Sequence, residues 1–593
     1  MKEDKIKITP VKGRPMLYWI GKKTLEYVKG FPAQLIEVFD PLNTGTKVDI
    51  PFYDELKNNW QNLLFHGDNK DVLVTLLELG FRGKIDLVYI DPPFKSGADY
   101  IRKVELRGLK DLGEINEDSV SVLQQTMYLD IWNNDNYLQF MYDRLMLLKE
   151  LLAETGSIYI HLDQTIGHYI KIIADEIFGE SNFLGEIVWY RYNKIPDKTK
   201  KLFFKMHDII LYYAKNKNDH YFESILYPSG KMIKRKKMKK ITGKIATIEE
   251  YIEYMQEILL TRSVIDFIPD PNVGNSKEKT GFETQKPEEL LNLLISASSP
   301  ENGLVLDSFI GSGTTCVSAQ KLGRRWIGCD INKGAIQLTS SRVQKIVKEQ
   351  IKNNMAKYHS FALYKVNNYD LKILQTEAIE LVAQHIGIQK TKTDIFFDGT
   401  LGKNLVKIID FNHPLTLRDL QLIQDELKKR PNEDRDITIV CLGKELAVEQ
   451  WIEEWNKKHS VNKLKVIELK TDQKYGRFFI YKPAEAKVKI EREVNKVIIE
   501  IKEFISPTII ERLNMDSKLF NVKIPDFRAM IDCVLIDTNY DGSIFHIVYS
   551  DVPENKSDLI KGKYEIEIPN KKTNLAIKII DMLGEEILVV KEV

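Results

Sequence analysis

The chain has little cysteine, no long apolar run and no excess of charge of one sign. Its four cysteines, Cys316, Cys329, Cys441 and Cys533, form no CxxC pair. This spacing excludes a disulfide framework or a zinc site of the usual kind and predicts four buried, incidental thiols. The 86 Lys and Arg residues nearly balance the 85 Asp and Glu residues, for a formal net charge of +1. The balance excludes a polycation and at first argues against a nucleic-acid partner.

The absence of long apolar runs bears on location. The opening MKEDKIKITP lacks the apolar core of a signal peptide, and no later window approaches the roughly 20 uncharged apolar residues of a membrane span. We therefore expect a soluble, cytoplasmic protein without a membrane partner. The phosphate-binding pattern GxxxxGK followed by Ser or Thr is also absent, which disfavours a P-loop ATPase.

The length of 593 residues predicts several domains, at about 100 to 200 residues each. No period of 20 to 50 residues repeats, which argues against a solenoid or propeller. Changes in composition indicate the limits of the domains. The predicted division is an N-terminal extension (1–60), an α/β domain in two parts (61–190 and 281–350), a basic insert (191–280), a small α/β domain (351–480) and a β-rich C-terminal domain (481–593).

The two-part domain alternates strand-like and helix-like runs, as α/β proteins do. Ile85–Ile90 and Ser157–Leu162 are typical of buried parallel strands, with a crossover helix between them at Tyr137–Ala153 and Gly156 as its expected stop. The same alternation returns at 303–346. There the predicted elements are strands at Leu304–Leu306 and Trp326–Gly328 and a helix at Thr314–Lys321.

The sharpest motif is Asp91-Pro92-Pro93-Phe94, directly after the first of these strands. The prolines fix the backbone and remove two N–H donors, so the carbonyl oxygens of Asp91 and Pro92 project from the strand end, where open parallel sheets bind ligands. The Asp91 carboxylate and the Pro92 oxygen are suited to accept the two N–H bonds of an adenine amino group, while Phe94 stacks on the base. The alternative interpretation is a strand-ending turn with a capping aspartate.

A second strand leads into a glycine turn and a helix over Asp307–Thr315, DSFIGSGTT. Glycine lets the backbone approach a ligand closely. Asp330 ends a further strand, where an acid can accept hydrogen bonds from ribose hydroxyls. The turn departs from the dinucleotide pattern GxGxxG. S-adenosylmethionine, which has a ribose and a carboxylate but no phosphate, suits a site with an acid and no lysine.

Two further motifs are weaker. Thr284–Leu291, TQKPEELL, predicts a helix start with Pro287 near its first turn and acids where the helix dipole favours them; taken alone, this is ordinary capping. His66–Asn69 ends an apolar run, and from there Asp68 could reach a cofactor, although a turn is the simpler interpretation.

The neutral average conceals a basic insert. Between Pro228 and Thr247 the chain has eight basic residues and no acid, and aromatic residues are interspersed upstream. This pattern is typical of phosphate contacts to a nucleic acid, and a solvated lysine loop is the alternative. The predicted contact residues are Lys231, Lys234, Arg235, Lys236 and Lys237.

Together these motifs resemble the β class of DNA amino-methyltransferases. DPPF is similar to the catalytic motif of that family, DSFIGSGTT to its cofactor loop, Asp330 to its ribose-binding acid and TQKPEELL to the element before the cofactor loop. The catalytic motif comes first, as in this permuted class. Residues 156–190 also resemble a segment of the modification subunits of type III restriction systems and their stand-alone relatives. The resemblance covers roughly 61–350 and implies a Rossmann-like, S-adenosylmethionine-dependent fold with an inserted target-recognition region.

The resemblance also implies roles for individual residues. Asp91, Pro92, Pro93 and Phe94 would be catalytic. The substrate would be double-stranded DNA with a flipped-out base, in a prokaryotic restriction-modification or related defence system. The residues implied to bind S-adenosylmethionine are Asp68, Lys286, Asp307, Phe309, Gly311, Gly313, Thr314 and Asp330.

Three activities compete for this scaffold. Asp at the first motif position is typical of adenine-N6 enzymes, which we predict here, whereas cytosine-N4 enzymes more often have Ser. A cytosine-N4 enzyme is the nearest alternative, and a DNA-recognition subunit that directs a nuclease partner is the second. No Pro-Cys dipeptide occurs, so the covalent route of C5-cytosine methylation lacks its nucleophile. No metal is expected.

Residues 351–593 have no assigned chemistry. Glu500-Ile501-Lys502 and Pro525-Asp526 are similar to fragments of nuclease sites, but they stand in the wrong order. We expect this region to form a surface for recognition, for dimerisation or for a separate restriction subunit. Since the chain has no P-loop, any ATP-driven restriction motor must be another chain.

Overall fold

The computed structural model describes the chain except for short terminal and internal segments. For residues 100–105, 122–128, 226–241 and 247–260 it describes the backbone alone. The residues outside the description are 1–4, 12, 14, 43–48, 94–99, 108–121, 129–133, 195–202, 242–246, 261–262, 274–277, 279, 283, 356, 368–382, 384–385, 391–393, 395, 410–414, 442, 445, 470–483, 511–523, 525, 554, 556 and 569–571.

The chain forms two compact units. The first comprises Met1–Asn367, Glu485–Ile505 and Glu511–Val593, and the second comprises Asn368–Ala484 and Ser506–Ile510. The strands are β1 (Ile6–Lys7), β2 (Tyr27–Val28), β3 (Ala33–Phe39), β4 (Asn62–His66), β5 (Ile85–Ile90), β6 (Tyr100–Glu105), β7 (Val122–Tyr128), β8 (Leu152–Leu162), β9 (Phe183–Tyr190), β10 (His207–Ala214), β11 (Leu226–Ile241), β12 (Thr247–Leu260), β13 (Val264–Ile265), β14 (Leu304–Asp307), β15 (Arg325–Asp330), β16 (Phe361–Val366), β17 (Gln389–Lys390), β18 (Gly399–Leu401), β19 (Asn404–Ile408), β20 (Ile437–Cys441), β21 (Leu464–Glu468), β22 (Glu485–Glu493), β23 (Lys496–Ile505), β24 (Ile531–Asp537), β25 (Phe545–Ile547), β26 (Tyr549–Asp551), β27 (Lys563–Glu567), β28 (Asn574–Asp581) and β29 (Glu586–Glu592). The helices are α1 (Tyr53–Leu56), α2 (Asn69–Glu78), α3 (Asn134–Leu151), α4 (Gly167–Phe178), α5 (Glu288–Ser298), α6 (Thr314–Lys321), α7 (Lys333–Lys352), α8 (Leu417–Lys428) and α9 (Leu446–Lys458).

A sheet of 11 strands forms the centre of the first unit, in the order β13-β9-β10-β8-β5-β14-β15-β4-β16-β3-β25. From β8 to β16 every neighbouring pair is parallel, and antiparallel β10 and β3 flank this block. The parallel strands are almost wholly apolar because helices cover both faces of the sheet. This architecture confirms the predicted Rossmann-like α/β fold.

Two apolar layers hold the helices to the sheet. Helices α2, α3 and α4 pack on one face, and α5, α6 and α7 pack on the other. Strands β5 and β14 are neighbours in space although more than 200 residues separate them along the chain. At this junction the chain turns to opposite sides of the sheet, which is where open α/β sheets bind ligands.

Most local elements of this unit agree with the sequence prediction. The strand Ile85–Ile90 and the helix Thr314–Lys321 have the predicted limits. The role predicted for Gly156 is wrong, because α3 already ends at Leu151 and Gly156 lies inside β8. A Cβ at Gly156 would lie 2.7 Å from the carbonyl oxygen of Ile85. The glycine therefore permits the close approach of β5 and β8 where their register shifts.

The β-rich C-terminal region is divided differently from the predicted separate domain at 481–593. Strand β25 pairs in parallel with β3 and so extends the central sheet. Strands β24, β26, β28 and β29 form a further sheet, and Lys578 on β28 forms a buried ion pair with Glu37 on β3. Shared strand pairing and this ion pair explain why most of the region belongs to the first unit.

The second unit is a small α/β body with the sheet order β17-β18-β19-β20-β21. Strands β19, β20 and β21 are parallel. Helices α8 and α9 pack on the sheet through Leu420, Ile423 and Val448. Thr416 begins α8 with a capping box to Asp419.

The four cysteines are all free and buried, as predicted. Burial raises the pKa of the Cys316 and Cys329 thiols well above the usual value, so both stay protonated and poorly reactive at neutral pH. Within the described part of the chain, no helix is both long and apolar enough to cross a membrane.

Replacing Glu37 alone should destabilise the first unit more than replacing both members of its ion pair. Lys578 Nζ lies 2.7 Å from Glu37 Oε2 and both side chains are buried, so Glu37→Ala leaves an uncompensated buried charge that costs roughly 3–5 kcal/mol. We expect this variant to melt several degrees lower, and Glu37→Leu with Lys578→Met to recover most of the loss. Thermal unfolding measures both, and an unchanged melting temperature in the single variant would contradict this account.

Candidate active site

Five adjacent parallel strands carry an aspartate at their carboxyl ends. In spatial order the strands are β8, β5, β14, β15 and β4. Because the carboxyl ends of parallel strands meet at one edge of a sheet, the five carboxylates line the edge where such folds bind ligands. The aspartates, in the same order, are Asp163, Asp91, Asp307, Asp330 and Asp68.

Asp91 follows β5 and is paired with Lys286, whose Nζ donates a hydrogen bond to Asp91 Oδ2. The other oxygen, Oδ1, is buried and has no hydrogen-bond partner among the residues that the structure describes. Pro92 is buried and Pro93 is half-buried. Phe94, predicted to stack on a base, lies outside the described residues. One carboxylate oxygen of the predicted catalytic residue is therefore fixed by a cation, while the second has unused acceptor capacity.

Lys286 was predicted to line the cofactor site, and the structure places its ammonium group on the predicted catalytic carboxylate instead. Its side chain is 7% exposed. It also donates to the carbonyl oxygen of Thr284, 3.3 Å away. Lys286 precedes α5, which has Pro287 at its N-cap and two acids in its first turn, as predicted. The TQKPEELL motif thus places the ammonium group of Lys286 beside Asp91 and also begins α5.

Glu288, the first residue of α5, joins that helix to the glycine turn. Its Oε1 accepts a hydrogen bond from Arg342 Nη2 at 2.8 Å. Arg342 Nη1 donates to the carbonyl oxygen of Ser312. Burial lowers the pKa of Arg342, and the charge of Glu288 opposes this shift. The arginine on α7 therefore ties the start of α5 to the turn between β14 and α6.

The glycine turn has the backbone conformations that its sequence predicts. Gly311 has φ 48° and Gly313 has φ 79°, both in the left-handed region. A Cβ on Gly313 would lie 2.4 Å from Thr339 Oγ1, whereas one on Gly311 would meet nothing within 4 Å. Gly313 is thus required by packing, and Gly311 borders open space. Thr314 begins α6 directly after the turn.

Asp307 and Asp330 fix the two sides of this turn. Asp307 Oδ1 accepts from the backbone N–H of Phe309 at 2.8 Å, and Oδ2 accepts from the Thr315 hydroxyl at 2.5 Å. Asp330 Oδ2 accepts from the N–H of Gly311 at 2.9 Å. Burial, with smaller contributions from the charges of Asp91 and Asp330, raises the pKa of Asp307 to about 7. Phe309 is buried against α3.

Asp68 caps α2 and forms an ion pair with Arg144, a residue that the sequence alone did not identify. Arg144 Nη2, on α3, lies 2.9 Å from Asp68 Oδ1, and Arg144 Nε also donates to the side-chain oxygen of Asn69. Asn69 in turn donates to the carbonyl oxygen of Ser308 at 3.0 Å. The sequence does contain a signal for Arg144: this charged residue shares one otherwise apolar helical face with Met141 and neighbouring leucines.

The basic run lies on a strand of a long hairpin. Strands β11 and β12 pair in antiparallel register, and the structure describes only their backbone. Arg235 stands opposite Glu253, and Lys239 stands opposite Glu249. Acids therefore share the hairpin with the basic residues, although the basic residues outnumber them by eight to four between 226 and 260. The five predicted contact residues, Lys231, Lys234, Arg235, Lys236 and Lys237, all belong to β11.

The central part of the chain is similar to a known family of DNA methylases. Residues 85–341 match the model of the N6_N4_Mtase family, a DNA methylase family, and so include both predicted motifs. This match confirms the family resemblance that the motifs indicate.

Two characterised relatives are similar to this chain. It is 27% identical to the Mod subunit of the type III restriction-modification enzyme StyLTI from Salmonella typhimurium over 379 residues, covering 50% of this chain and 58% of the subunit. It is 25% identical to the type II methyltransferase M.EcaI from Enterobacter cloacae, covering 45% and 66%. The chain thus spans less than two thirds of either relative. Among solved structures, the M1.HpyAVI-SAM complex is 19% identical, with a TM-score of 0.28, covering 47% of this chain and 98% of that protein.

Asp307 should make stability depend on pH. Its folded-state pKa of about 7 lies above the unfolded value of about 3.9, so the folded state holds a proton and loses the associated stability as pH rises towards and through 7. Between about pH 5.5 and pH 8 the loss amounts to about 2 kcal/mol. The asparagine side chain of the Asp307→Asn variant cannot titrate. We therefore expect the melting temperature of the wild type to fall relative to that of the variant over this pH interval. A pH-independent difference between the two melting temperatures would refute the assignment.

Proposed function

We propose that this chain is a site-specific DNA methyltransferase that transfers a methyl group from S-adenosylmethionine to adenine N6. The observation that carries the proposal is the Asp91 carboxylate, which lies at the end of β5 beside the glycine turn after β14 and keeps one buried oxygen without a described partner. The family match and the type III and type II relatives support the DNA substrate and a restriction-modification setting. We further expect the protein to act in the prokaryotic cytoplasm.

The residues at the sheet edge fit S-adenosylmethionine. Open space borders Gly311, and the Ser308 hydroxyl is buried without a partner among the described residues. Asp330, whose two carboxylate oxygens each accept one backbone N–H, ends β15 at this edge and is the acid predicted to bind the ribose hydroxyls. The residues that would hold the cofactor are the predicted set, with Lys286 assigned instead to Asp91. The cofactor supplies an electrophilic methyl group bound to sulfur.

Asp91 would prepare the amino group for attack. Its Oδ1 is placed to accept one N–H bond of the base, and the Pro92 carbonyl oxygen to accept the other. These two bonds would draw the nitrogen lone pair out of conjugation and direct it at the methyl group. The bond from the methyl carbon to sulfur would break as the bond to nitrogen forms, and one proton of the methylated amine would then leave to solvent. Lys286 holds Oδ2 of Asp91, so the other carboxylate oxygen has a fixed direction. The base must leave the duplex to reach this edge, at a cost of a few kcal/mol.

A cytosine-N4 enzyme is the second candidate, because the matching family includes both base types in its name. A separate restriction subunit is the partner that we propose on the strength of the type III relative. A second copy of this chain is a further partner that we propose. A recognition subunit that directs a nuclease would share the same fold and DNA contacts. These candidates differ in product and in their need for a partner.

Asp91→Ala should abolish methyl transfer while leaving cofactor affinity nearly unchanged. Loss of one preorganised hydrogen-bonding group at a reacting centre costs about 10²–10³-fold in rate. Asp163→Asn is the matched control, since Asp163 ends the neighbouring strand β8 and bonds to Thr165. Transfer of tritiated methyl groups to DNA measures the rate, and calorimetry measures cofactor binding. A comparable rate in Asp91→Ala would overturn the catalytic assignment.

Sequencing that detects modified bases identifies the product. We expect N6-methyladenine at one short motif in DNA from cells that express the chain. N4-methylcytosine would replace the first candidate by the second. Modification that requires an added partner would favour the recognition subunit.

The hairpin lysines should govern salt-sensitive DNA binding. Each lost phosphate contact reduces the slope of log affinity against log salt by about 0.9, so glutamine at Lys234, Arg235, Lys236 and Lys237 should lower it by up to about 3.6. The matched control replaces four exposed lysines of the second unit, Lys428, Lys429, Lys457 and Lys458. Fluorescence anisotropy over a salt series makes the comparison. Equal slopes for the two variants would exclude the hairpin as the phosphate-binding element.

A further inference from the structure

A row of polar side chains crosses the sheet beneath Asp91. We call Tyr89, His161, Asp208 and Arg191 the polar row; they belong to β5, to β8, to β10 and to the residue after β9. Tyr89, His161 and Asp208 are each less than 5% exposed. Buried polar groups are costly unless they are paired, so a continuous row of them on neighbouring strands requires an explanation.

Two hydrogen bonds and an ion pair connect the row from end to end. The Tyr89 hydroxyl lies 2.9 Å from His161 Nδ1. His161 Nε2 lies 3.4 Å from Asp208 Oδ2, and Arg191 Nη2 lies 3.0 Å from Asp208 Oδ1. Arg191 Nη1 then faces Asp270 Oδ2 at 3.9 Å.

The charges along the row determine which of its groups donate a proton and which accept one. Burial alone would raise the pKa of Asp208, but the hydrogen bond from His161 and the charges of Lys286 and Arg191 lower it to about 2. Burial and the charge of Lys286 lower the pKa of His161. An ionised Asp208 can only accept, so neutral His161 donates from Nε2 and accepts the Tyr89 proton at Nδ1.

The inner end of the row adjoins the catalytic pair. Tyr89 is the last residue but one of β5, and Asp91 directly follows that strand. Burial and then the charge of Asp91 raise the pKa of Tyr89, which keeps its hydroxyl a donor. The positive charge of Lys286, whose ammonium group binds Asp91, lowers the pKa of both His161 and Asp208.

The outer end of the row adjoins both ends of the insert. Arg191 is the first residue of the predicted insert, and Asp270 lies near its return to the sheet. Asn193 exchanges two hydrogen bonds of 2.9 Å with the backbone of Asp270. Trp189, packed edge-on against His161, donates to the carbonyl oxygen of Ile268 at 2.9 Å. The two stems of the insert are therefore joined to each other and to the polar row.

We propose that the polar row couples the position of the insert stems to the position of the Asp91–Lys286 pair. Contact of the insert with DNA thereby sets the direction of the free Asp91 oxygen. Tyr89 and His161 are positioning residues, because they act on Asp91 and Lys286 and do not touch the substrate. This inference rests on the proposed function.

Tyr89→Phe tests the row with the loss of a single hydroxyl. Tyr159→Phe is the matched control: Tyr159 lies on β8 two residues before His161, and its buried hydroxyl bonds to Ser298 at 2.7 Å outside the row. Both variants lose one buried hydrogen bond, so similar melting temperatures are expected. We expect Tyr89→Phe to slow single-turnover methyl transfer on the order of tenfold, in the range of supporting-residue effects, and Tyr159→Phe to change it less than twofold.

Binding measurements separate positioning from general damage. In Tyr89→Phe we expect unchanged affinities for S-adenosylmethionine and for DNA, with the whole loss in the rate of transfer. Equal rates for the two variants, or a loss of affinity that accounts for the loss of rate, would overturn the role of the row. A wild-type chain that methylates neither alone nor with a partner would instead refute the proposed function.

Arg191→Gln tests the connection to the insert. The change removes the ion pair to Asp208 while Asn193 still joins the insert stems. We expect the rate on the cognate motif to fall on the order of tenfold, and the rate on a motif with one changed base to fall much less, so that discrimination between the two decreases. Equal losses on both motifs would show that the insert does not act through the row.

Discussion

The concentration of carboxylates at one edge of the central sheet is the electrostatic constraint on which the first unit depends. Like charges held close together in a partly buried place repel one another, and the raised pKa of Asp307 reflects burial together with this repulsion. Each aspartate is compensated in its own way. Asp91 has a lysine, Asp68 has an arginine, and Asp330 has two backbone N–H groups. The edge can therefore hold five acids and still present oxygen atoms to a ligand.

The cations that satisfy this constraint come from distant parts of the chain. Lys286 is 195 residues from Asp91, and Arg144 is 76 residues from Asp68. Each enters on a segment next to or within a helix that packs on the sheet, α5 for the lysine and α3 for the arginine. Charge compensation therefore favours one placement of these helices among those that apolar packing alone would allow. The bonds from Arg342 to Glu288 and to the glycine turn extend the same principle to α7.

The sequence alone was informative wherever the signal was local. An apolar run followed by Asp-Pro-Pro identified β5 and its terminal carboxylate, and glycines between a strand and a helix identified the turn at Gly311 and Gly313. The partners of distant residues left no such signal: the apolar helical face around Arg144 marked that residue as unusual without indicating Asp68, and the motif that contains Lys286 did not indicate Asp91. Strand β25 has only three residues, too few for a periodic pattern, so its addition to the central sheet could not be foreseen. Gly156 was misassigned because a glycine after a helix and a glycine inside a crowded strand have the same sequence signature.

The position of the insert follows from the antiparallel end of the sheet. Strand β13 pairs in parallel with β9 through Val264–Val188 and Ile265–Trp189, so the chain leaves from β9 and returns beside it. The long β11–β12 hairpin can therefore differ in length and charge without changing the register of the parallel strands. The same arrangement brings Arg191 and Asp270 together at the edge of the sheet. An insert attached in this way is free to vary at its tip. Its stems must keep the few polar contacts that join them to β10 and, through Asp208 and His161, to β5, the strand that Asp91 follows.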